Sequence, residues 1–263
     1  MARVLITGCS TGFGRATAIE LTKRGHDVVA TARKPETLDD LDVAMKLPLD
    51  VDDERSIAEA VAAAGELDAL VNNAGFGVTG PVESVPIPEV RRMLETNYFG
   101  ALRMIQAVVP QLRVRGRGTV VNISSVAGRV AAPFNGFYSA TKYALEATSE
   151  ALKYEVGHFG IRVVLIEPGY IETGFQAREG RYGIEAPYDQ LDRQWESARD
   201  VLFAQAGSTP EHVAAAVADA IEADDPPLRV PVGSDADMVL STRAALDDAT
   251  FEATMRETLG LTW

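Results

Sequence analysis

At 263 residues, against roughly 100 to 200 per domain, the chain is one large domain or two small ones, and a disulfide-stapled miniprotein is excluded. Its 25 Lys and Arg against 38 Asp and Glu give a net charge of −13, a surface that repels phosphate backbones and anionic lipid, so neither nucleic acid nor membrane insertion is expected. With 46% apolar and 24% charged residues, the composition is that of a chain that folds.

The single cysteine, Cys9, permits neither an intrachain disulfide nor a cysteine-based zinc site; no metal site is expected, and Cys9 reads as a small packing residue. No apolar run approaches the roughly 18 residues of a membrane span. Residues 1–8, MARVLITG, pass from three aliphatics straight into a glycine turn, so the chain reads as cytoplasmic and unprocessed.

In chain order, short and almost wholly apolar runs fall at residues 3–7, 27–32, 46–51, 67–72, 118–124, 162–167 and 228–232. Such runs predict strands buried on both faces of a parallel sheet, because half-exposed strands alternate. Between them lie helical stretches at 14–25, 52–65, 88–112, 137–160 and 209–223, several opened by Asp, Thr or Pro and closed by Gly. The alternation predicts an α/β fold: one open, doubly wound, Rossmann-like parallel sheet of about seven strands with helices on both faces, and ligands outside the carboxyl ends of the strands. No linker or repeat interrupts it, so residues 1–263 are expected to form one domain. In residues 174–205 the strand rhythm lapses, and Phe175, Tyr182, Tyr188, Trp195 and Phe203 mark this stretch as a substrate lid. The same aromatics also suit simple packing of the lid onto the core.

The first run leads into Thr7-Gly8-Cys9-Ser10-Thr11-Gly12-Phe13-Gly14 and then a helix. Glycines there let the backbone approach a pyrophosphate, and free N–H groups at the helix start supply positive potential. The spacing G-x-x-x-G-x-G differs from the commoner G-x-G-x-x-G. Gly8 to Gly12 also spell G-x-S-x-G, the nucleophile elbow of a serine hydrolase using Ser10. That rival needs one of His26, His158 or His212 as base, and the sequence has no HGGG-like oxyanion segment. The second run ends Ala32-Arg33-Lys34, where an NAD site calls for a carboxylate on the ribose hydroxyl; two cations there suit a 2′-phosphate, so NADP is expected over NAD, a solvated basic loop being the plain alternative.

Tyr138 and Lys142 stand four apart and share a helical face. An ammonium about 4 Å from a phenol at an effective dielectric of about 20 is worth about 4 kcal/mol, or about three pKa units, which brings a tyrosine into range for acid/base work. An ordinary helix-surface contact would have the same spacing. The later strand ends read Asn72-Asn73-Ala74-Gly75, Asn122-Ile123-Ser124-Ser125 and Glu167-Pro168-Gly169-Tyr170-Ile171-Glu172-Thr173. Each alone is turn chemistry; jointly they line one groove.

From about residue 3 to 174 these motifs resemble the short-chain dehydrogenase/reductase family. In order they are TGCSTGFG, Asp50, NNAG, Asn97 in TNYFG, ISS with Ser125 thirteen residues before Tyr138, YSATK and PGYIET. Phe13 departs from the smaller aliphatic usual at its position. The resemblance implies hydride transfer between a nicotinamide and a ketone or secondary alcohol. It makes Tyr138 the acid/base, Lys142 its electrostatic support and ribose contact, Ser125 the hydrogen-bond partner of the substrate oxygen, and Asn97 a link in a proton relay through water. Ser124 is the alternative serine, set aside by spacing. Gly8, Ser10, Thr11, Gly12, Phe13 and Gly14 would form the pyrophosphate turn, Arg33 the phosphate contact, and Asp50 and Val51 the adenine edge. Asn73, Ala74 and Gly75 would follow on the adenosine-ribose side, with Pro168, Gly169, Ile171 and Thr173 on the carboxamide side. The wording TARK, NNAGFG, TNYFGAL and YSATKYALEA resembles the hydroxysteroid and retinol dehydrogenase branch, which implies a steroid-like or otherwise lipophilic small molecule. An NADP-binding sensor or scaffold without turnover is the second reading. A homodimer or homotetramer is implied through the helices at about 88–114 and 137–158, where Leu145, Leu152 and Tyr154 serve either that contact or the sheet.

Overall fold

In the computed structural model, which describes residues 1–171, 180–206 and 208–262, all seven apolar runs become strands of one parallel sheet. They are β1 (Arg3–Ile6), β2 (Asp27–Ala32), β3 (Met45–Pro48), β4 (Ala69–Asn72), β6 (Gly118–Ile123), β7 (Ile161–Pro168) and β9 (Arg229–Val232). A separate ladder of β5 (Val78–Thr79) and β8 (Gly180–Arg181), two residues each, was not foreseen from the sequence. The sheet order is β3-β2-β1-β4-β6-β7-β9, with the winding direction reversing between β1 and β4. That reversal opens a crevice at the carboxyl ends of the strands.

The strands lack polar alternation because helices cover both sides. Val4 and Ile6 of β1 join one core with Val28 and Ala30 of β2, whereas Leu5 and Val29 join the other. The first core is closed by α1 (Gly12–Lys23) and α7 (Pro210–Glu222) through Leu21, Val213 and Val217. The second is closed by α2 (Glu54–Ala64) and α4 (Ala101–Arg115) through Ile57, Met104, Val108 and Leu112. The caps expected at α2 hold, with Asp53 accepting from the N–H of Arg55 and Gly65 closing the helix at a φ of +71°, whereas α4 runs past the expected end at 112 and closes on Gly116 at +66°.

The stretch expected as one helix at 88–112 is α3 (Ile87–Leu94), a π-helical turn (Glu95–Gly100) and then α4. Such bulges widen a helix by one residue and concentrate at functional sites. Next comes α5 (Gly136–Val156), and beyond the sheet α6 (Asp189–Ala206), α8 (Ser234–Ala245) and α9 (Asp248–Thr258) gather on the carboxyl side. On α5, Leu145 is buried and Leu152 packs partly on the core, which leaves Tyr154 at the surface. Among the described residues, no helix is long and apolar enough to cross a membrane.

Candidate active site

The glycine turn is pinned from two sides. Thr7 Oγ1 accepts from the N–H groups of Asn73 and Ala74, both at 2.9 Å, and Asn73 Nδ2 donates to the carbonyls of Thr7 at 2.8 Å and Gly8 at 3.0 Å. The end of β4 thereby fixes the loop after β1. A Cβ on Gly14 would fall within 2.5 Å of Asn73 Nδ2 and the Gly8 carbonyl oxygen, and Gly8 itself has a φ of +74°. Both positions therefore demand glycine. Gly14 is buried under this contact, so its part in the turn is close packing. Cys9 lies wholly inside the loop, where burial pushes its thiol up to about 12 and leaves it unreactive.

A crevice of about 830 Å³ opens in front of this turn. Its floor gathers Gly8, Ser10, Thr11, Gly12 and Phe13 from β1 and α1, Arg33 after β2, and Asp50 and Val51 after β3. Asn73, Ala74 and Gly75 follow from β4, Ser125 from β6, Tyr138 and Lys142 from α5, and Pro168, Gly169 and Ile171 from β7. Arg33 is exposed and makes no ion pair among the described residues, so its charge is available at the crevice edge. None of His26, His158 and His212 lines the crevice. His26 faces Glu222 at 3.0 Å, His158 packs on Phe159, and His212 Nδ1 accepts from the N–H of Thr209. The hydrolase constellation around Ser10 is thus not assembled.

Tyr138 and Lys142 do share a face of α5. The Lys142 ammonium is buried, donates to the Ile123 carbonyl at 2.8 Å, and stands 5.6 Å from the centre of the Tyr138 ring. Burial lowers its pKa from 10.5 to about 8, against the pull of the nearby Glu146 carboxylate in the other direction. Two strand-end residues expected in the groove turn inward instead. Asn72 Nδ2 donates to Asn122 Oδ1 at 2.9 Å, and Asn122 Nδ2 donates to Ser149 Oγ at 2.8 Å. A buried amide needs such partners, and this chain ties α5 to the sheet at a fixed height.

The two serines differ in what they hold. Ser124 also borders the crevice, but it is buried and its hydroxyl is committed to Glu146, which Arg229 also binds at 2.9 Å. Ser125 is half-buried; its Oγ accepts from the N–H of Ala127 at 3.1 Å and lies 3.5 Å from the Pro168 carbonyl oxygen. Asn97 does not line the crevice. It is buried behind it in the π-helical turn, where Oδ1 accepts from the N–H of Phe76 at 3.0 Å and Nδ2 donates to the Phe76 carbonyl at 2.8 Å.

The wall opposite combines Leu191, Trp195 and Leu202 of α6, in the stretch expected as a lid, with Met238 and Val239 of α8 and Phe251 and Met255 of α9, which the sequence did not disclose. Phe134, Trp195, Ala198 and Leu259 form their buried core, with Tyr170, Tyr188 and Leu191 packed around it. Of the described aromatics in 174–205, Trp195 both packs and lines the crevice, whereas Tyr182 and Tyr188 pack. Thr173, Phe175 and the side chain of Phe203 lie outside the described residues.

The residues present fit a dinucleotide. The crevice has a glycine turn in which Gly14 leaves no room for a Cβ and Gly8 and Gly12 hold positive φ, a helix start behind it and, at one edge, a cation with no ion pair among the described residues. The short chain dehydrogenase family model matches residues 2–182. The 3-ketodihydrosphingosine reductase of Bacteroides thetaiotaomicron is 36% identical over 236 residues, which cover 88% of this chain and 87% of that protein. Retinol dehydrogenase 8 of Homo sapiens is 36% identical over 250 residues, covering 86% of this chain and 79% of that one. A short-chain dehydrogenase from Streptomyces avermitilis superposes with a TM-score of 0.84 at 36% identity, over 100% of this chain and 99% of that chain. Another, from Burkholderia cenocepacia and solved with NADP, gives 0.79 at 26% identity over 100% and 98%. On a match that spans the glycine turn, β4, β6, α5 and β7 alike, this chain belongs to the short-chain dehydrogenase family, and its likeness to retinol dehydrogenase 8 supports the retinol dehydrogenase-like branch.

Proposed function

We propose that the protein is an NADP(H)-dependent oxidoreductase that reduces a ketone to a secondary alcohol on a steroid-like or otherwise lipophilic small molecule. The observation that carries this reading is the buried Lys142 ammonium beside Tyr138, on a crevice wall that also holds Ser125 and faces the glycine turn. In this reading Gly8, Ser10, Thr11, Gly12 and Phe13 hold the pyrophosphate, and Arg33 the 2′-phosphate. Asp50 and Val51 border the adenine, Asn73 to Gly75 the adenosine ribose, and Pro168, Gly169, Ile171 and Thr173 the carboxamide. Bound there, NADPH supplies a hydride to a carbonyl carbon.

Tyr138 donates its phenolic proton to the carbonyl oxygen as that oxygen gains charge, and Ser125 donates a hydrogen bond to the same oxygen. The Lys142 ammonium favours the phenolate left behind. The side-chain amide of Asn97 is spent on Phe76 and Thr141 behind the crevice, so in this reading Asn97 holds the segment at Phe76 rather than passing a proton through its side chain. We read residues 1–263 as one catalytic domain with a lid at 174–205. We take it to act in the cytoplasm as a homodimer or homotetramer joined through α4 and α5, where Tyr143 and Tyr154 are exposed.

The direct test is NADPH oxidation against ketones of increasing chain length and bulk, with turnover expected on lipophilic members. Tight NADPH binding without turnover on any carbonyl would replace this reading with the sensor. For the cofactor preference, Arg33→Asp is expected to cut the NADPH to NADH ratio of kcat/KM by at least about tenfold, the scale of one lost charged hydrogen bond. An unchanged ratio would remove Arg33 from the phosphate site.

A further inference from the structure

Asp235 stands in the first turn of α8, directly after β9, and is only 7% exposed. A carboxylate is seldom buried so far without strong partners. Its Oδ2 accepts from the backbone N–H of Tyr170 at 2.6 Å, whereas Oδ1 has no hydrogen-bond partner among the described residues. The carboxylate presses on Gly169 so closely that a Cβ there would fall within 2.5 Å of it. The Gly169 N–H in turn donates to the Val232 carbonyl at 3.0 Å. The end of β9 and the start of α8 thus clamp the turn that leaves β7.

That turn belongs to the reactive half of the crevice. Gly169 and Tyr170 both line it, and the Ser125 hydroxyl lies 3.5 Å from the carbonyl oxygen of the preceding Pro168. Arg33 and Asp50 follow β2 and β3 on the other side of the β1–β4 reversal, whereas Ser125, Gly169 and Asp235 belong to the β6-β7-β9 side. We infer that Asp235 is a positioning residue that sets the Pro168–Tyr170 turn against the nicotinamide half of the cofactor, and that it has no influence on the adenosine half. The inference rests on the cofactor reading above.

Calorimetric titration of the full chain with NADPH and with adenosine 2′,5′-bisphosphate, which lacks the nicotinamide, separates the two halves. Asp235→Ala is expected to weaken NADPH by at least about tenfold and to leave the bisphosphate within about twofold. Asp235→Asn, which keeps an acceptor for the Tyr170 N–H, should restore most of the NADPH affinity. Gly169→Ala, which pushes the carboxylate off its contact, should reproduce the split and serves in its place if Asp235→Ala does not fold. Unchanged NADPH affinity, or equal weakening of both ligands, would overturn the assignment. Failure of the wild-type chain to bind either ligand would instead overturn the cofactor reading and this inference with it.

Discussion

Tyr138→Phe is expected to lower kcat by about a hundredfold to ten-thousandfold, the range supplied by a positioned general acid, with the Kd for NADPH within about twofold of the wild type. The ring stays and only the hydroxyl is lost, so the crevice keeps its shape. The substitution leaves the Lys142 ammonium on the Ile123 carbonyl and the Asn72–Asn122–Ser149 chain in place, since neither uses the phenol oxygen. Stopped-flow turnover alongside fluorescence titration of NADPH checks both halves of the expectation. Retained turnover would move the proton-transfer role to another residue, and parallel loss of binding would make Tyr138 a cofactor contact first.

The second large effect is expected from Lys142→Met, which removes the charge and keeps most of the apolar stem. We expect kcat to fall by at least about a hundredfold near neutral pH, because the phenolate of Tyr138 loses its buried counter-charge. The wild-type profile should lose activity as pH rises through about 8, where the lowered Lys142 pKa discharges the ammonium, and the Met variant should lack that limb. Stability carries the opposite sign. Between the folded value of about 8 and the unfolded value of 10.5 the unfolded chain binds more protons, so this group makes cofactor-free protein more stable as pH rises across that window. Urea unfolding at the two ends of the window should show the rise in wild type and its absence in the variant. An identical pH slope in both would mean that Lys142 is not the group titrating.

The sheet was legible because burial on both faces leaves a strand no polar alternation to hide behind: β2 begins and ends where its apolar run does, and β7 differs by one residue at each end. The Tyr138–Lys142 pair was legible for a different reason, since the two are four apart on one helix and their shared face needs no long-range information. What escaped depends on partners distant in sequence. Asp235 reads as an ordinary acid in a helix's first turn, and its partner Tyr170 is 65 residues earlier. Asn72 and Asn122 read as strand-end residues lining the groove, and only the β4–β6 register, which sets them side by side, shows that they face each other instead. The π-helical turn at Asn97 answers to Phe76 across the chain, and no local period records it. The helices α8 and α9 bury too little of their own surface to show a stripe; α9 has no buried residue at all.

Under the proposed function, the reacting side chains and the facing wall have separate origins along the chain: Ser125, Tyr138 and Lys142 all precede β7, whereas the wall is contributed by α6, α8 and α9. Selectivity can therefore be exchanged as a graft, with the recipient retaining its own proton donor. The seam of any such chimera crosses the Tyr170–Asp235 bond, so donor sequences must bring an acid that matches the recipient's turn, or carry both ends of that bond across together.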